Sequence, residues 1–153
     1  MELRFEVAGR IARPVHAVFE AVADPSQLSR YFTTGGASGR LEPGATVSWD
    51  FADYPGAFPV QVLAVEQDRR IVLRWDAYEE GADPPADYQT TVTITFEPLE
   101  DGRTLVRIAE EGWRPTDAGL RASYDNCFGW SQMLCALKAH LEYGINLREG
   151  MFV

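Results

Sequence analysis

The sequence lacks the features that mark several large classes of protein. It has no apolar run long enough to cross a membrane, and its first residues, MELRFEVAGRIARP, alternate polar and apolar side chains instead of forming the apolar centre of a signal peptide. These absences predict a cytoplasmic protein. Only two cysteines and two histidines occur in 153 residues, and their spacing fits no metal site. We therefore expect neither a metal nor a cofactor.

Positive charge is also scarce. The 14 basic residues face 23 acidic ones, which gives a net charge of -9. Such a chain repels phosphate backbones and anionic lipid surfaces, so we expect no nucleic-acid or membrane partner. The sequence has no G-x-S-x-G motif, and its GGASG segment lacks the Lys-Ser/Thr ending of a phosphate-binding loop. Serine-nucleophile and nucleotide chemistry are disfavoured.

The patterns that are present predict one domain spanning residues 1–153, which begins with a strand and two short helices. Residues 3–11 alternate apolar and polar side chains, as a half-buried strand does. Pro14 suits the first turn of a helix over PVHAVFEAVAD. Asp24 and the proline after it are typical of a second helix start, and we expect that helix to end at about Arg30. The TTGGASG segment that follows is typical of a loop.

From Thr46 onward the hydrophobic period is two, which predicts a run of strands. The inward faces of four of them are Val47, Trp49 and Phe51; Ile71, Leu73 and Trp75; Val92, Ile94 and Phe96; and Val106 and Ile108. PGAFPVQVLAVE is a further strand, but its register stays open because Leu63 and Val65 compete with Val60 and Val62. The segment EDGR at 100–103 is typical of the turn of a β-hairpin.

The last segment changes to the helical period and predicts a helix of about 26 residues from about Asp117. One face carries Ser123, Cys127, Trp130, Leu134, Leu137, Leu141 and Ile145, and the other carries Arg121, Asp125, Gln132 and Tyr143. A long amphipathic helix and one-sided strands must bury their apolar faces against each other. The pattern therefore predicts an α+β fold in which a curved antiparallel sheet wraps around a C-terminal helix.

Several segments resemble a known family. IARPVHAVFEAVADPSQLSRYF is similar to the opening of START-like (SRPBCC) proteins, and IVLRW, TTVTITFEPLEDGRTLVRI, EEGW and GWSQMLCALKAHLE resemble their branch related to the activator of the heat-shock chaperone ATPase. The resemblance implies a helix-grip fold, β-α-α-β(6)-α, with a cavity between the sheet and the last helix. That branch usually has a tryptophan where this chain has Tyr31 and Phe32.

Aromatic and polar residues share the predicted inward faces, which is typical of a ligand pocket, although an aromatic stripe on a helix is often simply core. The candidate ligand-binding residues are Trp49, Phe51, Trp75, Tyr88, Glu110, Trp113, Asn126, Trp130, Met133 and Leu134. Glu110 is the one candidate acid or base, because burial among aromatics would raise its pKa. The alternative is a glutamate paired with Arg107 or Arg114.

Three functions follow from these patterns. The first is binding of a small, largely hydrophobic molecule in the cavity. The second is a cyclase- or hydrolase-type enzyme that uses the same cavity, and the third is a regulatory protein that acts on a chaperone through its surface. The acidic segment 76–88 is most simply a solvated loop, and is otherwise a candidate lid over the cavity or a docking patch for that partner. The apolar ending MFV hints at packing on the domain itself or on a second subunit, as in a homodimer.

Overall fold

The structure, a computed structural model, describes all 153 residues and confirms the predicted α+β fold. The elements in chain order are β1 (Leu3–Ile11), α1 (Val15–Ala23), α2 (Pro25–Leu28), β2 (Gly36–Ser38), β3 (Thr46–Phe51), β4 (Tyr54–Glu66), β5 (Arg70–Asp76), β6 (Gln89–Pro98), β7 (Thr104–Trp113) and α3 (Asp117–Tyr143). The strands form one antiparallel sheet in the order β1-β7-β6-β5-β4-β3-β2. This is the β-α-α-β(6)-α order that the family resemblance implies.

The main core lies between the inner face of the sheet and α3, with α1 and α2 closing one end. The alternate apolar residues predicted on β5, β6 and β7 all face this core and are almost fully buried, except Trp75, which is partly buried at its edge. The helix crosses the sheet on the side of β1 and β7, where it makes most of its sheet contacts. Because one side of the sheet packs on the helix, the strands keep the alternation that made them predictable.

A β-bulge resolves the open register of β4. Val62 pairs with Leu73, but the next pair joins Ala64 to Val72, so one extra residue lies on β4 between them. The strand therefore changes phase at Leu63, whose side chain is exposed. Val60 and Val62 face the core before the bulge, and Val65 packs against it afterwards. The first candidate register holds up to Val62 and the second only at Val65, because Leu63 faces solvent at the bulge.

The region after α1 differs from the prediction in two ways. The second helix ends at Leu28 instead of Arg30, because the backbone N–H groups of Phe32 and Thr33 both turn back to the Leu28 carbonyl. The predicted TTGGASG loop contains the short strand β2, which pairs with β3 through Gly36 and Asp50. A three-residue edge strand has too few side chains to show a period.

The last helix starts and ends at clear caps. The Thr116 hydroxyl accepts a hydrogen bond from the Gly119 N–H at 3.0 Å, so Thr116 and not Asp117 is the N-cap. Gly144 ends the helix with a φ of 67°. Two residues of the last helix were assigned to the wrong face. Gln132 was expected to face outward but is buried, because the chain after α3 folds back over it. Ile145 was expected to face the core but lies beyond the end of the helix and is exposed. No helix is long and apolar enough to cross a membrane.

Candidate functional site

Glu110 lies on the inner face of β7, where the alternation that buries Val106 and Ile108 directs its side chain inward. It is only 1% exposed, and four side chains donate hydrogen bonds to its carboxylate. Oε2 accepts from Trp75 Nε1 at 2.9 Å and from Thr90 Oγ1 at 2.7 Å. Oε1 accepts from Trp130 Nε1 at 2.9 Å. The Asn126 amide reaches both oxygens, at 3.1 and 3.0 Å.

No basic group takes part in this network. The alternative partners are engaged elsewhere, since Arg107 pairs with Glu97 and Arg114 with Asp87. Burial raises the pKa of Glu110 above its ordinary value, and the four donors act in the opposite direction because they favour the charged carboxylate. The site therefore holds a buried negative charge that neutral N–H and O–H groups compensate.

This geometry makes Glu110 a positioning residue. Five donor contacts fill the acceptor sites of its two oxygens, so the carboxylate has no free acceptor position for a substrate proton. Its partners are two indoles, a hydroxyl and an amide, none of which titrates near neutral pH. What the carboxylate does is fix the orientations of Trp75 and Trp130, one from the sheet and one from the helix.

An open cleft of about 430 Å³ lies beside these two indoles, between α3, the β3–β4 turn and the segment after β5. The rings of Trp75 and Trp130 stack with centroids 5.5 Å apart, and Phe32 lies 5.4 Å from Trp130. The residues that line the cleft are Phe32, Phe51, Tyr54, Trp75, Tyr78, Glu80, Asp125, Asn126, Gly129, Trp130 and Arg148. The cleft thus has aromatic walls and a few polar groups, as small-molecule sites do.

Gly129 keeps the helix side of the cleft open. A Cβ placed on this residue would meet no atom within 4 Å. Glycine in the interior of a helix is less stable than alanine by about 0.5–1 kcal/mol, and no close packing at this position requires it. Gly129 therefore makes the helix less stable at a position where any side chain would project into the cleft.

The segment after α3 forms another wall through Arg148. Its guanidinium makes two hydrogen bonds of 2.8 Å to the Asp53 carboxylate and one of 3.0 Å to Gln132 Oε1. It also lies 4.7 Å from the centroid of the Phe51 ring. The Arg148 guanidinium holds the pKa of Asp53 below its ordinary value. One side chain thus ties the C-terminal segment to the β3–β4 turn and to α3.

The structure brings some of the predicted site residues together at the cleft. Phe51, Trp75, Asn126 and Trp130 line it, and Glu110 lies directly behind two of them. Trp49 is buried one layer deeper, with its ring 5.9 Å from that of Trp75 and with its Nε1 lacking a hydrogen-bond partner.

The other predicted residues lie elsewhere. Met133 and Leu134 belong to the packed core, which fills most of the space between sheet and helix. Trp113 belongs to a separate small cluster around Leu3, and Tyr88 packs against that cluster. The cleft therefore lies beside the middle of α3, at Asp125, Asn126, Gly129 and Trp130, and does not follow the whole length of the helix.

Sequence reasoning missed several lining residues. These are Phe32, Tyr54, Tyr78, Glu80, Asp125, Gly129 and Arg148. Two signals were available: a glycine in mid-helix, whose cost in helix stability suggests a spatial reason, and the candidate lid segment 76–88, which contains Tyr78 and Glu80. No group of three or more histidine, cysteine or acidic side chains is placed to hold a metal ion.

Comparisons with known proteins agree with this architecture. The family described as "Activator of Hsp90 ATPase homolog 1-like protein" matches residues 12–142. No curated protein matches the chain. Protein SSP2350 of Staphylococcus saprophyticus is 27% identical with a TM-score of 0.77, and the alignment covers 95% of this chain and 96% of that one.

Two further solved structures carry other printed descriptions. DynU16, from the dynemicin biosynthetic locus, is 25% identical with a TM-score of 0.74; the alignment covers 93% of this chain but 48% of DynU16. Aha1 of Colwellia psychrerythraea, solved as a dimer, is 20% identical with a TM-score of 0.69, over 93% of this chain and 98% of that one. At 20% identity, the similarity to Aha1 shows a shared fold and nothing more.

Proposed function

The chain belongs to the family of activator of Hsp90 ATPase homolog 1-like proteins, and from that premise we propose that it binds a small, largely hydrophobic ligand in the cleft between the sheet and α3. The observation that carries the proposal is the open aromatic wall. Trp75 and Trp130 are held rigidly by Glu110, yet they border about 430 Å³ of unfilled space. Gly129 leaves that space open from the helix side.

The dimensions favour a compact, flat ligand. Binding sites for small molecules commonly measure about 300–1,000 Å³, and this cleft lies near the lower end of that range. The packed core beyond Met133 and Leu134 leaves no tunnel for a long chain. Flat rings stack well on indoles, so a ligand of one to three fused rings fits better than an extended fatty acid.

The four tryptophans provide a direct test by NMR, because each indole N–H gives its own signal. We would titrate the protein with 1-naphthylmethanol, with a fatty acid and with a sterol. The expected result is a saturable shift of the Trp75 and Trp130 signals with the naphthyl compound, while the Trp113 signal in its separate cluster stays in place. No saturable shift with any compound would overturn the proposal.

Gly129→Leu fills the cleft and should abolish these shifts in a protein that remains folded. The matched control is Ser131→Leu, which places the same leucine side chain on α3 at an exposed position outside the cleft. If both variants bind the naphthyl compound as well as the unmodified protein does, the cleft is not the binding site.

The other candidate functions have less support in the geometry. Three of the five acids in the segment 76–88 are already bonded, Asp76 to Gln89, Glu79 to Tyr88 and Asp87 to Arg114. Only Asp87 is paired with a base, so the segment keeps a net negative charge, but charge alone names no partner. A cyclase- or hydrolase-type enzyme would need a second titratable group facing Glu110, and its four partners offer none.

A further inference from the structure

We propose that the ligand of this cleft is a flat aromatic molecule that carries a positive charge, such as an arylmethylammonium ion. The inference rests on the proposed function, because it assigns a ligand class to the same cleft. It is carried by three features of the wall: two acids without partners, a basic residue whose charge is already compensated, and indole rings backed by a buried carboxylate.

The two acids are Glu80, in the segment after β5, and Asp125, on α3. Both line the cleft and are exposed, and neither forms a hydrogen bond or an ion pair with another side chain. An ammonium group bound beside them would gain two opposite charges without displacing an existing partner. Most other acids near the cleft lack this freedom, since Glu79 and Asp53 are both bonded.

Positive charge at the cleft is already balanced. Arg148 is the one basic residue in the wall, and its bidentate pairing with Asp53 neutralises it. Arg121 borders the adjoining groove together with both free acids, but it forms no ion pair with either of them. Even with Arg121 counted, the cleft and the carboxylate behind it remain negative, as is the protein at a net charge of -9.

The aromatic rings add to this preference. A cation near the face of an aromatic ring is attracted by the negative face of the π-system, most strongly for tryptophan. Trp75 and Trp130 both donate their N–H groups to Glu110, so a negative charge lies at the inner edge of both rings and adds to the attraction for a cation. The Arg148 guanidinium over Phe51 is an example of the same interaction in the same wall.

A matched set of probes separates charge from shape. The set is 1-naphthylmethylammonium, 1-naphthylmethanol and 1-naphthoate, which share one ring system and differ mainly in charge. Their affinities would be measured by isothermal titration calorimetry in low-salt buffer at neutral pH. We expect the cation to bind at least about fivefold more tightly than the alcohol, and the anion to bind most weakly.

Variants then locate the source of the preference. Glu80→Gln combined with Asp125→Asn should reduce the advantage of the cation over the alcohol, measured as the ratio of the two affinities on the same variant, to about twofold or less. Glu6→Gln combined with Glu42→Gln removes the same charge at exposed sites away from the cleft and should keep the full preference.

The outcomes distinguish this inference from the proposed function. If the alcohol binds in the cleft and the cation binds no better, or if both double variants behave alike, the cationic ligand is wrong and the binding function remains. If none of the three probes binds, the binding function itself fails.

Discussion

The indole Nε1 of Trp130 lies 2.9 Å from Oε1 of Glu110, and this contact joins α3 to β7 through a buried negative charge. The other oxygen of the same carboxylate accepts from Trp75 on β5. One glutamate thus fixes two rings that arrive from opposite sides of the core. The cleft has a defined shape because these rings cannot rotate without leaving the charge unsatisfied.

Replacement of Glu110 by glutamine should destabilise the fold. A glutamine amide presents N–H groups to indoles that can only donate, so at least one indole loses its acceptor. We expect Glu110→Gln to lower the free energy of unfolding by about 2–4 kcal/mol in urea titrations. The neighbouring Glu111 is exposed, and Glu111→Gln should change the free energy of unfolding by less than about 0.5 kcal/mol. Equal losses in the two variants would contradict the role assigned to Glu110.

Glu110 should also titrate above the ordinary glutamate value of 4.5, because burial raises its pKa. The folded protein then holds this proton at a pH where the unfolded chain has lost it. The stabilisation from the group is fully present below about pH 4.5 and is lost as the pH rises through the raised pKa. The carboxyl ¹³C shift of Glu110 measures this directly, and a midpoint at or below 4.5 would contradict it.

The two glycines within α3 should respond oppositely to alanine. Gly129→Ala adds a methyl group where no atom lies within 4 Å, so we expect thermal unfolding to show a gain of about 0.5–1 kcal/mol. At Gly119 the added Cβ would lie 2.0 Å from the Arg114 carbonyl oxygen, and Gly119→Ala should destabilise the protein. A loss of stability in Gly129→Ala would show that the space beside it is filled.

Local periodicity explains why much of the fold was predictable. Glu110 was expected to face inward because it shares the alternation of Val106 and Ile108 on an uninterrupted strand. The same argument left β4 unresolved, because a bulge at Leu63 depends on pairing with β5 and has no signature within β4 itself.

The candidate site was less predictable because its contacts join distant segments. Arg148 and Asp53 lie 95 residues apart and outside any regular helix or strand, so no pattern places one beside the other. Phe32 reaches the cleft only because the chain turns back after α2. The predicted inward faces located the central residues of the cleft, and the surrounding loops, which complete it, had no periodic signal.

The pairing of Arg148 with Asp53 should be the main anchor of the C-terminal segment. Both side chains are nearly buried, and the guanidinium spans both carboxylate oxygens, which the point charge of a lysine cannot match. We expect Arg148→Lys to cost about 1–3 kcal/mol of unfolding free energy and to speed amide hydrogen exchange in residues 145–153. Arg70→Lys is the matched control, because its ion pair with Glu66 is exposed and should contribute little.

The pH dependence of the same pair has the opposite sign to that of Glu110. Because Arg148 lowers the pKa of Asp53, the stabilisation is present above the ordinary aspartate value of 3.8 and is lost as the pH falls through the lowered pKa. The stability difference between the unmodified protein and Asp53→Asn should therefore shrink only below about pH 3.8. If Arg148→Lys left both stability and exchange unchanged, the C-terminal segment would be held by its apolar contacts, chiefly Phe152 on Phe128, and the salt bridge would be incidental.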